Sequence, residues 1–296
     1  MTDGTRIGII GTGRMGTAFA KRLAGQSWPV TVWNRSQDAT ATSAEAGARV
    51  ANSIADLCDA SDILISSLKD FEALEGVFSD AQGLAGQDLS GKLVIEMSTI
   101  LPDEQVHLAE RISGLGATYL ECPVGGTVGP ALKGQLLGFA GGDDAAWARG
   151  APVLGELCKR VERVGPVGAG AAMKLAANLP LAIYWNTLGE AIQMLEGHDI
   201  LIDTVISLLS DSSAGPNVLK NRHQVVVDTL TGTDQPGTFD IDGLHKDLAL
   251  AVEWASRNGR ALPLALRALE AYAAAQGAGL GGFDGASLAR FVRDGA

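Results

Sequence analysis

The sequence predicts a two-part chain: an α/β first half with a mostly parallel, doubly wound sheet, and an all-α second half. Three observations carry that expectation. Short apolar runs suited to buried strands, among them RIGII at 6–10, DILISS at 62–67 and LVIE at 93–96, alternate with helical patterns. From about residue 169 onward almost every segment has helical periodicity or loop composition. Between these regions stand Gly165-Pro166 and then Gly168, a cluster that breaks the chain. The boundaries expected from this are 1–165 and 166–296.

The bulk properties permit such an architecture. The chain has 296 residues, 46% hydrophobic and 19% charged, enough for two domains with real cores. Its formal net charge of −11 argues against nucleic acid as a main partner, because phosphate backbones demand positive surface. Three widely spaced cysteines and four histidines show no disulfide framework and no metal-ligand spacing, so no metal is expected. No run of about 20 apolar residues is present to span a bilayer, and the N-terminus enters a strand pattern without a signal-peptide pattern. A soluble cytoplasmic protein with no membrane partner is the expectation.

Taken in order, the strand at 6–10 leads straight into Gly11-Thr12-Gly13-Arg14-Met15-Gly16 and a helical pattern through Leu23. Strand, G-x-G-x-x-G and helix in succession form the dinucleotide-binding fingerprint of a Rossmann domain. Gly11 permits the tight turn, Gly13 lets backbone approach a pyrophosphate, and Gly16 lets the helix pack close to the strand. The helix N-terminus then offers N–H groups and the positive end of its dipole. The second strand, VTVW at 30–33, ends in Asn34-Arg35-Ser36. An acid at this point would bind a ribose 2′-hydroxyl; a guanidinium and a hydroxyl suit a 2′-phosphate instead. NADP(H) is therefore expected over NAD(H).

Further strands are expected at 62–67, 93–96, 119–122, 136–141 and 160–164, with helices at 43–48, 54–58, 71–78 and 102–115. Acidic residues and Pro102 open the last of these, as suits a helix N-terminus. Ligands of such sheets bind at the carboxyl ends of the strands. The loops carrying Ser67-Leu68, Ser98-Thr99 and Gly125-Gly126 fall there. In the second half, helices are expected at 173–195, 202–210, 216–230, 242–257, 263–276 and 286–292, with Pro180 expected to kink the first. That first helix carries Lys174 and Asn178, four apart and so on one face, a face that reaches Trp185 seven residues further on. A lysine on an otherwise apolar face either snorkels its stem to water or serves a purpose there.

Four separated matches make the chain resemble the β-hydroxyacid dehydrogenases, the group that includes 3-hydroxyisobutyrate dehydrogenase. They are the fingerprint with Ala20 and Leu23; Cys122-Pro123-Val124-Gly125-Gly126 with Ala131 and Gly134; Gly165, Gly168, Gly170, Lys174 and Asn178; and Lys246-Asp247 after Phe239. The resemblance implies that Lys174 is the general acid–base for a carbonyl or hydroxyl substrate, with Asn178 orienting substrate or lysine. It implies that Thr99 and Lys246 lie at the cofactor, that Ser98 contacts substrate, and that Gly125 and Gly126 offer N–H groups to a substrate carboxylate. It also implies an active site in the cleft between the domains and a homodimer. Two departures stand out. Gly125 replaces the serine usual in the family's segment, removing a hydroxyl from acid recognition. Trp185 is bulky and could line the substrate space, its other reading being a core or dimer-interface aromatic. The related imine reductases generally carry Asp or Tyr where this chain has Lys174, so imine reduction is the alternative activity. A non-catalytic NADPH-binding protein is a further one, against which the retained lysine weighs.

Overall fold

The computed structural model describes residues 4–295 and divides them into two compact units, one ending at Lys174 and the other starting at Leu175. The first unit begins with β1 (Ile7–Ile10), α1 (Arg14–Gly25), β2 (Val30–Trp33), α2 (Ala41–Ala44), β3 (Arg49–Val50), α3 (Ile54–Asp59), β4 (Ile63–Ser66), α4 (Phe71–Phe78) and β5 (Leu93–Glu96). It continues with α5 (Pro102–Gly114), β6 (Thr118–Glu121), β7 (Val124–Gly125), α6 (Val128–Leu132), β8 (Leu136–Gly141), α7 (Asp144–Leu157) and β9 (Cys158–Gly165).

The sheet order is β3-β2-β1-β4-β5-β6-β8-β7, with β9 on β8. All pairs from β3 to β6 are parallel; β8 runs antiparallel to β6 and β7, and β9 parallel to β8. The apolar runs became strands because both faces are covered. β1, β4 and β5 are buried along their whole lengths, as parallel strands between helix layers must be. One face packs against α1 and α7 through Phe19, Leu23, Leu154 and Leu157; the other packs against α3, α4 and α5 through Leu57, Phe78 and Leu108. The strand order reverses beside β1, whose neighbours are β2 and β4, and a doubly wound sheet presents its ligand crevice at that point.

Two features of this unit depart from the sequence reading. Of residues 43–48 only the first two are helical, as the end of α2, which follows a 3₁₀ turn at Gln37–Thr40; a turn then leads into β3. Between residues 142 and 158 the sequence suggests no element, yet α7 fills it. Its buried residues Ala146, Gly150, Val153, Leu154 and Leu157 lie at helical spacing, and Asp143 caps it by accepting the Ala146 N–H at 2.7 Å.

The second unit is helical. It contains most of α8 (Ala169–Gln193), then α9 (Ile202–Asp211), α10 (Asn217–Asn221), α11 (His223–Leu230), α12 (Ile241–Arg257), α13 (Pro263–Gly277) and α14 (Gly285–Arg293). α8 runs unbroken through Pro180. The single helix expected at 216–230 is two, separated at Arg222, whose guanidinium turns to the fully buried Asp284 at 2.7 Å. The core is built on Trp185, Leu188, Ile206, Leu244 and Tyr272, and the Tyr272 hydroxyl donates to the Ala182 carbonyl at 2.9 Å.

Candidate active site

The carboxyl ends of β1, β2 and β4 enclose a groove of about 1160 Å³, whose walls include Gly13, Asn34, Arg35, Ser36, Ser67 and Leu68. The backbone there is possible only with glycine. Gly11 has φ +94°, and a Cβ on it would stand 2.6 Å from the Ser67 carbonyl oxygen. A Cβ on Gly16 would stand 1.9 Å from the Gly11 oxygen, so α1 could not approach the turn. Gly13 differs, because nothing lies within 4 Å of its ideal Cβ. It caps α1 without a side-chain hydrogen bond, and no acidic residue occupies the first turn. Open space in front of a helix N-terminus suits a pyrophosphate.

Asn34 braces this groove. Its Oδ1 accepts the Thr12 N–H at 3.1 Å and its Nδ2 donates to the Ser36 carbonyl at 3.0 Å. Arg35 and Ser36 are exposed beyond it, whereas Met15 packs on the core. The buried Thr12 hydroxyl has no hydrogen-bond partner among the described residues. The groove thus fits a dinucleotide: glycine-lined at the pyrophosphate end, cationic at the end of β2.

Next to the groove, two carboxylates occupy the last positions of adjacent strands. Glu96 on β5 and Glu121 on β6 are register partners, and both are fully buried. Glu96 accepts from the Ser66 hydroxyl and the Ser98 N–H. Burial pushes its carboxyl up to about 7, against the pull of Ser66 and Ser98. Burial also pushes Glu121 up to about 7, against three backbone N–H donors, with Glu96 adding repulsion. Their neighbour Tyr119, whose hydroxyl donates to Gln105 at 2.6 Å, is held well above its ordinary value by burial and then by the two carboxyls.

Ser98, expected to contact substrate, bonds to its neighbours in the chain. It is 3% exposed, its Oγ accepts the Leu68 N–H at 2.8 Å, and its hydroxyl also bonds Glu96. It ties the loop after β4 to the loop after β5. Thr99, the next residue, is partly buried.

These carboxyls make a stability prediction. Each holds its proton more tightly folded than unfolded, so between pH 4.5 and about 7 the native state binds more protons. The associated stability is fully present below the unfolded value and is lost as pH rises through the folded one. For Glu96 alone the span is worth on the order of 3 kcal/mol. Thermal midpoints are expected to fall from about pH 5 to about pH 8.5. Glu96→Gln should flatten the slope, because an amide can accept from Ser98 and donate to Ser66 without charge. An unchanged slope in that variant would reject this account.

On α8, Lys174 is 6% exposed and Asn178, one turn on, 9%. The Asn178 Nδ2 donates to Asp247 Oδ2 at 2.7 Å, and the Lys246 ammonium pairs with Asp247 Oδ1 at 3.0 Å. Asp247 is 5% exposed. It fixes which way the Asn178 amide faces and is a site residue that the sequence reading passed over in favour of Lys246. The signal was present in the Lys246-Asp247 pair, since a carboxylate on a buried helix face requires partners.

Gly125 and Gly126 lie against Leu137 and Leu136 of β8. A Cβ on Gly125 would make only ordinary contacts, the nearest at 3.7 Å, whereas Gly126 has φ +119° and admits no side chain easily. Trp185 has the surroundings that its core reading calls for. It is 3% exposed in the helical core and lies so close to α14 that a Cβ on Gly285 would meet its Nε1 at 2.5 Å. It shares a helix face with Lys174, but eleven residues of helix separate them by about 16 Å along the axis. Among the described residues no group of three or more His, Cys, Asp or Glu side chains could hold a metal, and no helix is long and apolar enough to cross a membrane.

Two family descriptions cover nearly the whole chain. Residues 6–165 match the NAD-binding domain of 6-phosphogluconate dehydrogenase, and residues 168–292 match the NAD-binding domain of NADP-dependent 3-hydroxyisobutyrate dehydrogenase. The chain is 30% identical to glyoxylate/succinic semialdehyde reductase 1 of Arabidopsis thaliana, over 97% of this chain and 98% of that one. It is also 30% identical to the mitochondrial 3-hydroxyisobutyrate dehydrogenase of Bos taurus, over 99% and 88%. Among solved structures, a 3-hydroxyisobutyrate dehydrogenase from Salmonella typhimurium superposes with a TM-score of 0.85 at 26% identity, covering 97% of this chain and 99% of that one. An imine reductase from Pseudomonas sp. shares the fold, with a TM-score of 0.60 at 20% identity over 98% and 99%.

Proposed function

The chain belongs to the β-hydroxyacid dehydrogenase family as an NAD(P)-dependent oxidoreductase acting on CH–OH groups, and from that premise we propose an NADPH-preferring enzyme that uses Lys174 as general acid–base. The observation that carries this reading is a lysine only 6% exposed on a long helix, one turn before an asparagine held by a buried aspartate. A buried ammonium requires hydrogen-bonding or charged partners around it, which fixes its position.

When bound, the nicotinamide supplies or takes a hydride. In the reducing direction Lys174 gives its Nζ proton to the carbonyl oxygen that becomes the hydroxyl; in the oxidising direction it takes that proton. Asn178, its amide orientation set by Asp247, presents its carbonyl oxygen to substrate or lysine. Residues 1–165 form the nucleotide-binding part in this reading, with the cofactor on Gly11–Gly16, Asn34, Arg35, Ser36, Ser67, Leu68 and Thr99. Residues 166–296 form the helical part, with a dimer contact. Exposed Met194, Leu201, Leu208 and Leu264 on the helical unit favour such a contact; sedimentation as a monomer would reject it.

Gly125 bears on the substrate. The surrounding backbone would accept a serine, so packing does not impose glycine. A missing hydroxyl weakens carboxylate recognition and favours a substrate bulkier or less acidic than a small hydroxy acid. The test is turnover of aldehydes, keto acids and cyclic imines with NADPH and with NADH. Reduction of a carbonyl with NADPH is the expected result. Turnover of cyclic imines alone would assign imine reduction, and binding of NADPH without turnover across the panel would reject catalysis.

A further inference from the structure

The first turn of α8 is capped from a distance. Five other helices begin on their own capping side chains: Ser53, Asp70, Asp143, Asp240 and Asp284 each accept an N–H two or three residues on. α8 has no such residue. Gly165-Pro166-Val167-Gly168 precede it, and none carries a side-chain oxygen. Its first N–H groups go instead to Glu121, at the end of β6. The Gly170 N–H donates to Oε1 at 2.8 Å, the Ala171 N–H donates to Oε2 at 3.1 Å, and Gly168 adds a third backbone bond.

The surroundings are shaped for this carboxylate. A Cβ on Gly141 would stand 2.1 Å from Glu121 Oε1. A Cβ on Gly170 would stand 2.3 Å from the Phe139 carbonyl oxygen and 3.1 Å from Glu121 Cδ. Neither position can carry a side chain without moving the carboxylate or the helix. The first turn of α8, as far as Lys174, belongs with the sheet unit.

We propose that Glu121 is a positioning residue for the reaction: by holding the first N–H groups of α8 it sets the height and rotation of that helix, and so the place of the Lys174 ammonium. This rests on the reading of Lys174 as the general acid–base. Lys174 lies four residues after Gly170, on the same face and about 6 Å along the axis. No flexible segment intervenes, so displacement of the clamped turn passes to the lysine. A carboxylate also fits the charge at that point, since three converging N–H groups and a helix N-terminus favour a negative partner.

The test uses the full-length enzyme with NADPH and a substrate from the panel, in a double-mutant cycle of Glu121→Gln and Lys174→Ala. Glutamine keeps the size of the side chain but sets an NH₂ against an N–H donor. Glu121→Gln is expected to lower kcat about 10- to 100-fold with the KM for NADPH within about twofold. In the Lys174→Ala background the same change should lower kcat less than about threefold, because the group being positioned is gone. Glu121→Asp, which keeps the charge on a shorter stem, should recover part of the loss. An equal loss in both backgrounds, or kcat within about threefold of wild type in Glu121→Gln, overturns the proposal. Wild-type activity in Lys174→Ala would instead sink the reading of Lys174, whatever Glu121 does. Should Glu121→Gln not fold, amide exchange decides: Gly170 and Ala171 are expected to exchange at least about tenfold faster in Glu121→Asp than in wild type, and equal protection overturns the clamp.

Discussion

Lys174→Ala is expected to lower kcat by about 10²- to 10⁴-fold, the range contributed by a positioned proton donor, while NADPH binding measured by fluorescence stays within about twofold of wild type. The separation follows from the layout: the dinucleotide groove is lined by the ends of β1, β2 and β4, while Lys174 sits on α8. Lys174→Arg sharpens the result. Arginine retains the positive charge and an apolar stem but cannot give up a proton near neutral pH. If the ammonium only stabilised a developing alkoxide by its charge, Lys174→Arg would recover much of the rate. If it transfers a proton, the arginine variant should be nearly as slow as the alanine one. A kcat within about threefold of wild type in Lys174→Ala would remove the assignment.

What could be read in advance depended on whether a residue's role was local. RIGII, DILISS and LVIE became β1, β4 and β5 because a fully buried parallel strand must be apolar on both sides, and that pattern survives without knowledge of its neighbours. The glycine fingerprint was legible for a similar reason: Gly11 and Gly16 constrain each other across five residues. α7 was obscured by Gly150, Pro152 and Gly155, although its buried residues kept helical spacing and Asp143 marked its start. The carboxylates show the limit most clearly. Glu96 and Glu121 look like polar ends of apolar strands, and their partners lie on other elements, up to 50 positions away for Ala171. Trp185 shows a different limit: periodicity locates its face but carries no information about height along the helix, and at its height the neighbour is α14.

Arg35→Ala is expected to lower kcat/KM for NADPH by about 10- to 150-fold, the loss of a charge-assisted bond of about 1.5–3 kcal/mol, and to leave kcat/KM for NADH nearly unchanged. The argument is one of contrast at a single position. β2 is followed by Asn34, and the side chain that would carry an acid in an NAD site is an amide already engaged with Thr12 and Ser36. A carboxylate there could still accept from Thr12 but would face the Ser36 carbonyl oxygen without a proton to offer. Asn34 thus holds the turn that exposes Arg35 and Ser36 at the groove, where a 2′-phosphate would meet a cation and a hydroxyl rather than a repelling acid. Asn34→Asp should therefore weaken NADPH use and also loosen the turn, so it is a poor route to an NADH enzyme. Arg35→Ala would remove only the phosphate contact that we propose. Equal losses with both cofactors would mean that Arg35 serves the turn, and a wild-type enzyme that prefers NADH would reject the NADPH assignment outright.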